Sequence, residues 1–301
     1  MTSSHFDRAA SEESAVNITG IDGVRNWWDA NPMTYGDVHG SNVYDGLEIG
    51  SLQAFFTEAD RVFLNWNSSL HGTTEFEKIF PYEASENWEV LEIGCGLGKM
   101  ASLWSTQGAI VTAVDLNLRS LDLAKRRFEL MGIEGTFLQA DGRSLPFGDD
   151  TFDYVYSWGV LHHSPDLEAS LNEVLRCLKP GHQFGIMLYH RRSILYRYWI
   201  RYIEGFLHEE SRHLNDVELT SRYGDGSREE GNPYTRPVYA SEIEVLLKEK
   251  VEDLTFRVLG TDLDSILKYA LPGLGSKLPM ASKKTLARRF GWSLWINGKK
   301  K

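Results

Sequence analysis

The sequence predicts a doubly wound α/β fold, a mostly parallel sheet of seven strands with helices on both faces, a helical N-terminal cap and C-terminal insertions. Three observations predict it. Strand-like and helix-like segments alternate with short connections between residues 88 and 189. The first strand runs directly into a glycine loop that opens a helix. The second and third strands end on acidic residues, Asp115 and Asp141. Such alternation specifies a parallel sheet, because each crossover returns along a face and packs its helix there. Right-handed crossovers bring every strand's C-terminal end to one edge, where ligands of open α/β sheets bind.

Residues 88–93 (WEVLEI) form the first short apolar strand, and Gly94 to Gly98 the loop. Residues 99–107 read as a helix closed by Gly108, a residue suited to the left-handed turn at a helix end. Residues 109–115 are the second strand. Residues 118–131 carry apolar side chains at helical spacing and stop at Gly132. Residues 136–139 and 152–157 are strands three and four, and 166–178 a helix. Lys179-Pro180-Gly181 reads as a turn before the fifth strand, 183–189.

Beyond Tyr189 the alternation breaks. Residues 191–209 predict a helix with one apolar stripe, Leu195, Trp199, Tyr202, Ile203 and Phe206, flanked by Arg191, Arg192, Arg197 and Arg201. Residues 211–237 read as a polar loop. Ser241 with Glu244 has the spacing of a helix-starting capping box. Residues 254–259 and 292–296 are the late strands, with a helix expected between 261 and 290. The chain divides into a disordered N-terminus (1–20), a helical cap (21–83), the core (84–190) and the C-terminal insertions with the last two strands (191–301).

A hydrophobic fraction of 42% is enough for a sizeable core. A net charge of -10 argues against a nucleic-acid partner gripped through phosphates. One local exception is basic: Lys277, Lys283, Lys284, Arg288, Arg289, Lys299, Lys300 and Lys301, with no acidic residue from Leu271 onward. It reads either as a solvated surface with a frayed tail or as a patch that attracts an anionic substrate or membrane. Two cysteines, Cys95 and Cys177, are too few for a disulfide framework or a Cys-rich metal site, and no metal site is expected. The N-terminus lacks the basic and apolar regions of a signal peptide, and no run approaches the ~18 apolar residues of a membrane span. A cytoplasmic location is expected, with peripheral membrane contact left open.

Glycines spaced by two after a strand let a ligand approach the backbone, and the following helix offers free N–H groups. Nicotinamide and flavin enzymes share that signal. Glu92 within the first strand sharpens it. So does Asp115, at the twenty-residue offset where a carboxylate accepts from ribose hydroxyls. Asp141 can accept from an exocyclic adenine amine. Dinucleotide pyrophosphate would want the glycine loop and helix dipole, whereas a ligand without phosphates would want acidic residues near its amino group.

Together, VLEIGCGLG, AVDLN, QADGRSLPFGDDTFDYVYSWGVLHH and LRCLKPGHQFGIMLYH resemble the class I S-adenosylmethionine (SAM)-dependent methyltransferases, in particular the type 11 family, over residues 86–190. The resemblance implies a Rossmann-like sheet with an antiparallel seventh strand, and SAM as cofactor. It puts Glu92 near the amino-acid end of SAM and wraps Gly94, Cys95, Gly96 and Gly98 around the methionine part and ribose. Asp115 would bind the ribose diol, Leu116 would pack on adenine, Asp141 would accept from the adenine amine and Gly142 would lie beside it. Ser157 and Trp158 would lie near the sulfonium. Tyr35, in the Trp27 to Tyr35 segment of the cap, would close over SAM. His163, or else His162, is the candidate general base, although either can equally serve as a structural residue. The implied acceptor is a small molecule or lipid-like. Competing expectations are a non-catalytic SAM-binding regulatory protein and an NAD-dependent oxidoreductase, for which no catalytic Tyr/Lys or His dyad is visible.

Overall fold

A computed structural model of the chain describes residues 21–31, 50, 53–225, 231–260, 277 and 279–301. Its strands are β1 (Glu89–Ile93), β2 (Ile110–Asp115), β3 (Thr136–Gln139), β4 (Phe152–Trp158), β5 (Leu178–Tyr189), β6 (Val251–Leu259) and β7 (Ser293–Lys300). They form one seven-stranded sheet in the order β3-β2-β1-β4-β5-β7-β6. The first five pair in parallel, and β7 inserts antiparallel between β5 and β6. The chain reverses direction across the sheet between β1 and β4, so a crevice opens at their C-terminal ends.

Both faces of the sheet are buried, and the period-two alternation of strands sorts the side chains. Leu91, Ile93 and Val155 point into one apolar layer with Leu171 and Val174 of helix α5 (Leu167–Cys177). Val90, Tyr154 and Tyr156 point into the other, with Trp104 of helix α3 (Lys99–Thr106) and Phe80. Trp104 is fully buried, edge-on to Tyr82 with ring centroids 4.8 Å apart. Helix α4 (Leu118–Met131) starts where the Asn117 side chain accepts from the Ser120 N–H at 2.7 Å, and it ends on Gly132 at φ 64°. A cap of this kind contributes about 1 kcal/mol.

The cap supplies two described α-helices, α1 (Ile21–Ala30) and α2 (Gln53–Trp66). On α2 the buried residues Phe55, Phe56, Ala59 and Phe63 recur at helical spacing. α2 grips the core through a buried ion pair. Asp60 takes two bonds from the Arg127 guanidinium, at 2.7 and 2.8 Å, and Arg127 Nε donates to the Leu97 carbonyl of the glycine loop at 2.6 Å. The expected disordered N-terminus and Tyr35 lie outside the described residues.

The C-terminal part departs from the sequence expectation in several places. Leu195–Leu207 is a π-helix, wider than an α-helix by one residue per hydrogen bond, as in His208 N–H to the Ile203 carbonyl at 2.9 Å. The wider turn moves the inward face to Tyr196, Ile200 and Glu204, and leaves Tyr202 and Phe206 of the predicted stripe exposed. The expected loop 211–237 contains helix α6 (Asp216–Tyr223), started by a reciprocal box between Asn215 and Glu218. Helix α7 (Ala240–Leu247) begins ahead of Ser241, with Glu242 rather than Glu244 accepting the N–H of Tyr239 at 3.4 Å. The predicted turn at 179–181 is an irregularity within a longer β5, whose Leu178 already pairs with Phe152. Helix α8 (Met280–Phe290) fills the end of the segment before β7.

The C-terminal lysines are engaged with neighbouring groups. Lys299 pairs with Asp253 at 3.0 Å, Lys300 donates to the Leu178 carbonyl at 2.8 Å, and Lys301 reaches the Glu249 carbonyl at 3.0 Å. Among the described residues no helix is long and apolar enough to cross a membrane.

Candidate active site

A cavity of about 660 Å³ lies at the switch point, floored by the ends of β1, β2 and β4 and roofed by α1, α2 and the π-helix. The glycine loop enters it because its backbone is left-handed, with Gly94, Gly96 and Gly98 at φ +82, +49 and +72°. A Cβ on Gly94 would sit 2.3 Å from Val160, and one on Gly98 2.9 Å from Ala124, so both positions demand glycine for packing. A Cβ on Gly96 meets no protein atom within 4 Å, and Gly96 lines the cavity. That free space leaves the Gly96 backbone open to the cavity. The loop is pinned by the N–H groups of Gly94 and Cys95, which donate to the Val114 carbonyl at 2.7 and 3.1 Å.

Asp115 braces this loop. Its carboxylate accepts from the Gly96 N–H at 2.9 Å and from the Asn117 side chain at 2.8 Å. Burial pushes its pKa up to about 6 against the pull of these donors. Glu92 is more deeply buried, 2% exposed, and burial pushes its carboxyl to about 8 although the Tyr156 hydroxyl and Ala101 amide draw it back. Among the described residues its Oε2 has no hydrogen-bond partner. Asp141 is held by Arg143 at 2.7 Å, which keeps its carboxyl below the usual range despite partial burial. Leu116, Gly142 and Trp158 complete this end of the cavity. Cys95 lines it too, as a buried free thiol that burial pushes up, consistent with a small filler.

Three expected site residues do not reach the cavity wall. Ser157 is fully buried and spends its hydroxyl on the Ile93 carbonyl at 2.8 Å, locking β4 to β1. Gly98 packs on α4. His162 is 1% exposed with neither ring nitrogen partnered among the described residues, and burial drives its pKa well below the ordinary value, so it stays a neutral ring tilted by 32° against Tyr189 with centroids 3.7 Å apart.

His163 does line the cavity, with the edge of Trp28 on its ring at 5.3 Å. Its Nδ1 lies 2.8 Å from the Tyr234 carbonyl and 3.1 Å from the Thr235 hydroxyl, which donates to Asn232 at 2.7 Å. A carbonyl only accepts, and the Thr235 proton is already committed, so Nδ1 carries the hydrogen. Nε2 is then the basic nitrogen, 3.6 Å from Asp225 Oδ2. Asp225 accepts in turn from the Tyr189 hydroxyl and the Asn232 amide, which fixes its carboxylate. Sequence reasoning missed Asp225, Tyr189 and Trp292, whose buried indole N–H beside the cavity has no partner among the described residues.

Among the described residues, six carboxyl residues line the cavity, Asp60, Glu92, Asp115, Asp141, Glu204 and Asp225, against one lysine, Lys99, and no arginine. Lys99 itself is tied to Glu75 at 2.8 Å. The residues fit a cationic ligand with a diol, as SAM is, and disfavour a dinucleotide pyrophosphate.

Fold and site thus define a ligand-binding α/β domain with an acidic crevice at the switch point. Residues 91–186, about a third of the chain, match the family model of a type 11 methyltransferase domain. Among curated relatives it is 34% identical over 107 residues to "Methyltransferase GfsG" of Streptomyces halstedii, covering 35% of this chain and 38% of that protein. It is 36% identical over 104 residues to "Sterol 4-C-methyltransferase strm-1" of Caenorhabditis elegans, covering 34% and 31%. It is 38% identical over 98 residues to "Phthiotriol/phenolphthiotriol dimycocerosates methyltransferase" of Mycobacterium tuberculosis, covering 32% and 36%. The alignments therefore span between 31% and 38% of those relatives' lengths. A crystal structure of a SAM-dependent methyltransferase from Methanosarcina mazei shares the fold, with a TM-score of 0.52 at 19% identity over 74% of this chain and 98% of that one.

Proposed function

We propose that this protein transfers a methyl group from SAM to an apolar, lipid-like acceptor, with His163 receiving the proton that the acceptor loses. The observation that carries the reading is the charge division of the cavity. Its glycine-loop end is acidic. Away from that loop the walls carry the aromatic and apolar side chains Trp66, Met187, Leu195, Trp199 and Trp292, interrupted by the carboxyl groups of Glu204 and Asp225. Relatives named for sterol and phthiotriol substrates support the acceptor class.

When bound, SAM supplies a methyl already activated by its sulfonium. The chain's own contribution is position and dryness. Asp115 offers a carboxylate oxygen to the ribose hydroxyls, and Glu92 an ionisable oxygen to the amino group. Trp158 and Trp28 exclude water. Alignment of this kind supplies up to ~7–11 kcal/mol of the barrier. Methylation of an X–H acceptor releases one proton, which passes to His163 Nε2, and the facing Asp225 carboxylate stabilises the imidazolium so formed.

Calorimetric titration with SAM, S-adenosylhomocysteine and NAD tests the cofactor. The first two bind, NAD does not, and Asp115→Ala loses the binding. Transfer of label from methyl-labelled SAM into a panel of sterols and long-chain alcohols tests the acceptor. NAD binding alone would overturn the cofactor reading, and tight SAM binding with label transferred only to polar acceptors would overturn the acceptor class.

A further inference from the structure

The π-helix separates two cavities of opposite charge. Its Leu195, Trp199 and Glu204 line the acidic one. Its Tyr196, Arg197 and Arg201 line a second cavity of about 1070 Å³ on the other side. Six arginines border that second space: Arg191, Arg192, Arg197, Arg201, and Arg288 and Arg289 of α8. Among the described residues of its lining, Asp216 is the one carboxyl residue. Both Arg191 and Arg201 already share it, Arg191 at 2.9 Å. On a chain of net charge -10 this is a concentrated exception.

The same helix carries an exposed aromatic stripe one position along from Arg197 and Arg201. Tyr198, Tyr202 and Phe206 are 37, 46 and 70% exposed, and their rings stack in sequence at 5.9 Å. Leu207, at 50%, extends it. Exposed aromatics beside guanidinium groups are the composition of a surface that sits at a lipid–water boundary. Rings enter the headgroup layer and arginines meet its phosphates.

We infer that the arginine-lined cavity and the Tyr198–Tyr202–Phe206 stripe form a docking surface for an anionic lipid membrane. The chain's overall negative charge does not prevent this, because repulsion beyond a Debye length of about 8 Å is screened at physiological ionic strength. Docking there lays the π-helix, one wall of the acidic cavity, against the bilayer. The inference stands without methyl transfer, since a failed cofactor titration leaves vesicle binding intact.

The test is co-sedimentation of the full chain with vesicles of phosphatidylcholine alone and of phosphatidylcholine mixed with phosphatidylglycerol. The protein sediments with the mixed vesicles and stays in solution with the neutral ones. Raising salt from roughly 0.1 to 1 M releases it. Reversing three charges, Arg192→Glu with Arg288→Glu and Arg289→Glu, lowers partitioning by at least about tenfold, since each basic residue near an anionic surface adds to the attraction. Tyr202→Ser with Phe206→Ser also lowers partitioning but keeps its salt dependence. Because both side chains are exposed, this variant separates docking from folding, and an unchanged thermal unfolding midpoint confirms that either variant is intact. No sedimentation, equal binding to both vesicle types, or an unaffected charge-reversed protein overturns the inference. Release by inorganic phosphate at matched ionic strength also overturns it, in favour of a pocket for a discrete phosphate group.

Discussion

Glu92 is the residue on which the cofactor site's pH behaviour turns. Burial holds its carboxyl at about 8, so near neutrality the proton is on, and the same burial raises Asp115 to about 6. A ligand that brings positive charge to Glu92 and hydroxyl donors to Asp115 favours both carboxylates. Binding SAM at pH 7 therefore releases a proton, most of it from Glu92. Calorimetry in two buffers of different ionisation enthalpy measures the release, and Glu92→Gln abolishes most of it. Uptake of protons instead would put the cationic group elsewhere. Gly96→Ala reports the open loop backbone directly. The new methyl meets no protein atom but stands in ligand space at φ +49°, so the expectation is weakened SAM binding by tenfold or more, with a stability loss of about 1 kcal/mol. At the far end, His163→Gln lowers kcat by about a hundredfold while SAM affinity holds, as a lost general base would. An unchanged kcat would leave His163 a structural ring. Glu92 and Asp115 were legible because strand and loop spacing places them. Asp225 was not, since nothing local marks a carboxylate whose partner sits in a different part of the chain.

At the scale of elements, what holds the glycine loop is a helix that the sequence read only as part of an irregular cap. Arg127 is 2% exposed, donates to Leu97 in the loop and clamps Asp60 on α2, with its guanidinium 4.6 Å above the Phe56 ring. Arg127→Leu removes the clamp and leaves Asp60 with Lys99 alone, at 3.3 Å. A broken buried pair costs about 3–5 kcal/mol, and the remaining lysine puts the expectation at the lower end. Urea titration reads that loss, and SAM affinity falls with it because the loop loses an anchor. A stability loss with full affinity would show the loop to be self-supporting. The β-strand and helix order of residues 88–189 was legible because each element announces itself by period and punctuation. The π-helix was not, because an α-helical period turns its buried face to the wrong residues. Helix α6 was hidden in polar sequence although Asn215 and Glu218 have capping-box spacing; with few buried residues, its apolar period is too short to read.

Across the whole molecule, buried groups of opposite kinds set the pH of greatest stability. Glu92 and Asp115 have folded pKa values raised from 4.5 to about 8 and from 3.8 to about 6. The folded state holds their protons more tightly than the unfolded chain does. Their contribution is therefore full below the unfolded values and is lost as pH rises through the folded ones. His162 and His190 have folded pKa values lowered from 6.5 by burial. For them the unfolded chain takes the proton first, so stability is lost as pH falls below about 6.5. Asp141, Asp153 and Glu173, all lowered by basic partners, add a further loss only in acid, below the ordinary carboxyl range. The ligand-free protein is accordingly most stable between about pH 6 and 7, weakening on the alkaline side as Glu92 ionises. SAM reverses the alkaline slope, since it favours the ionised carboxyl that ligand-free folding penalises. Thermal unfolding from pH 5 to 9 with and without SAM measures both curves. The expected result is an optimum displaced to higher pH by the ligand, and in Glu92→Gln an alkaline slope reduced with or without it. An optimum that stays in place on adding a saturating ligand would mean that the buried carboxyl of Glu92 does not face the bound cation.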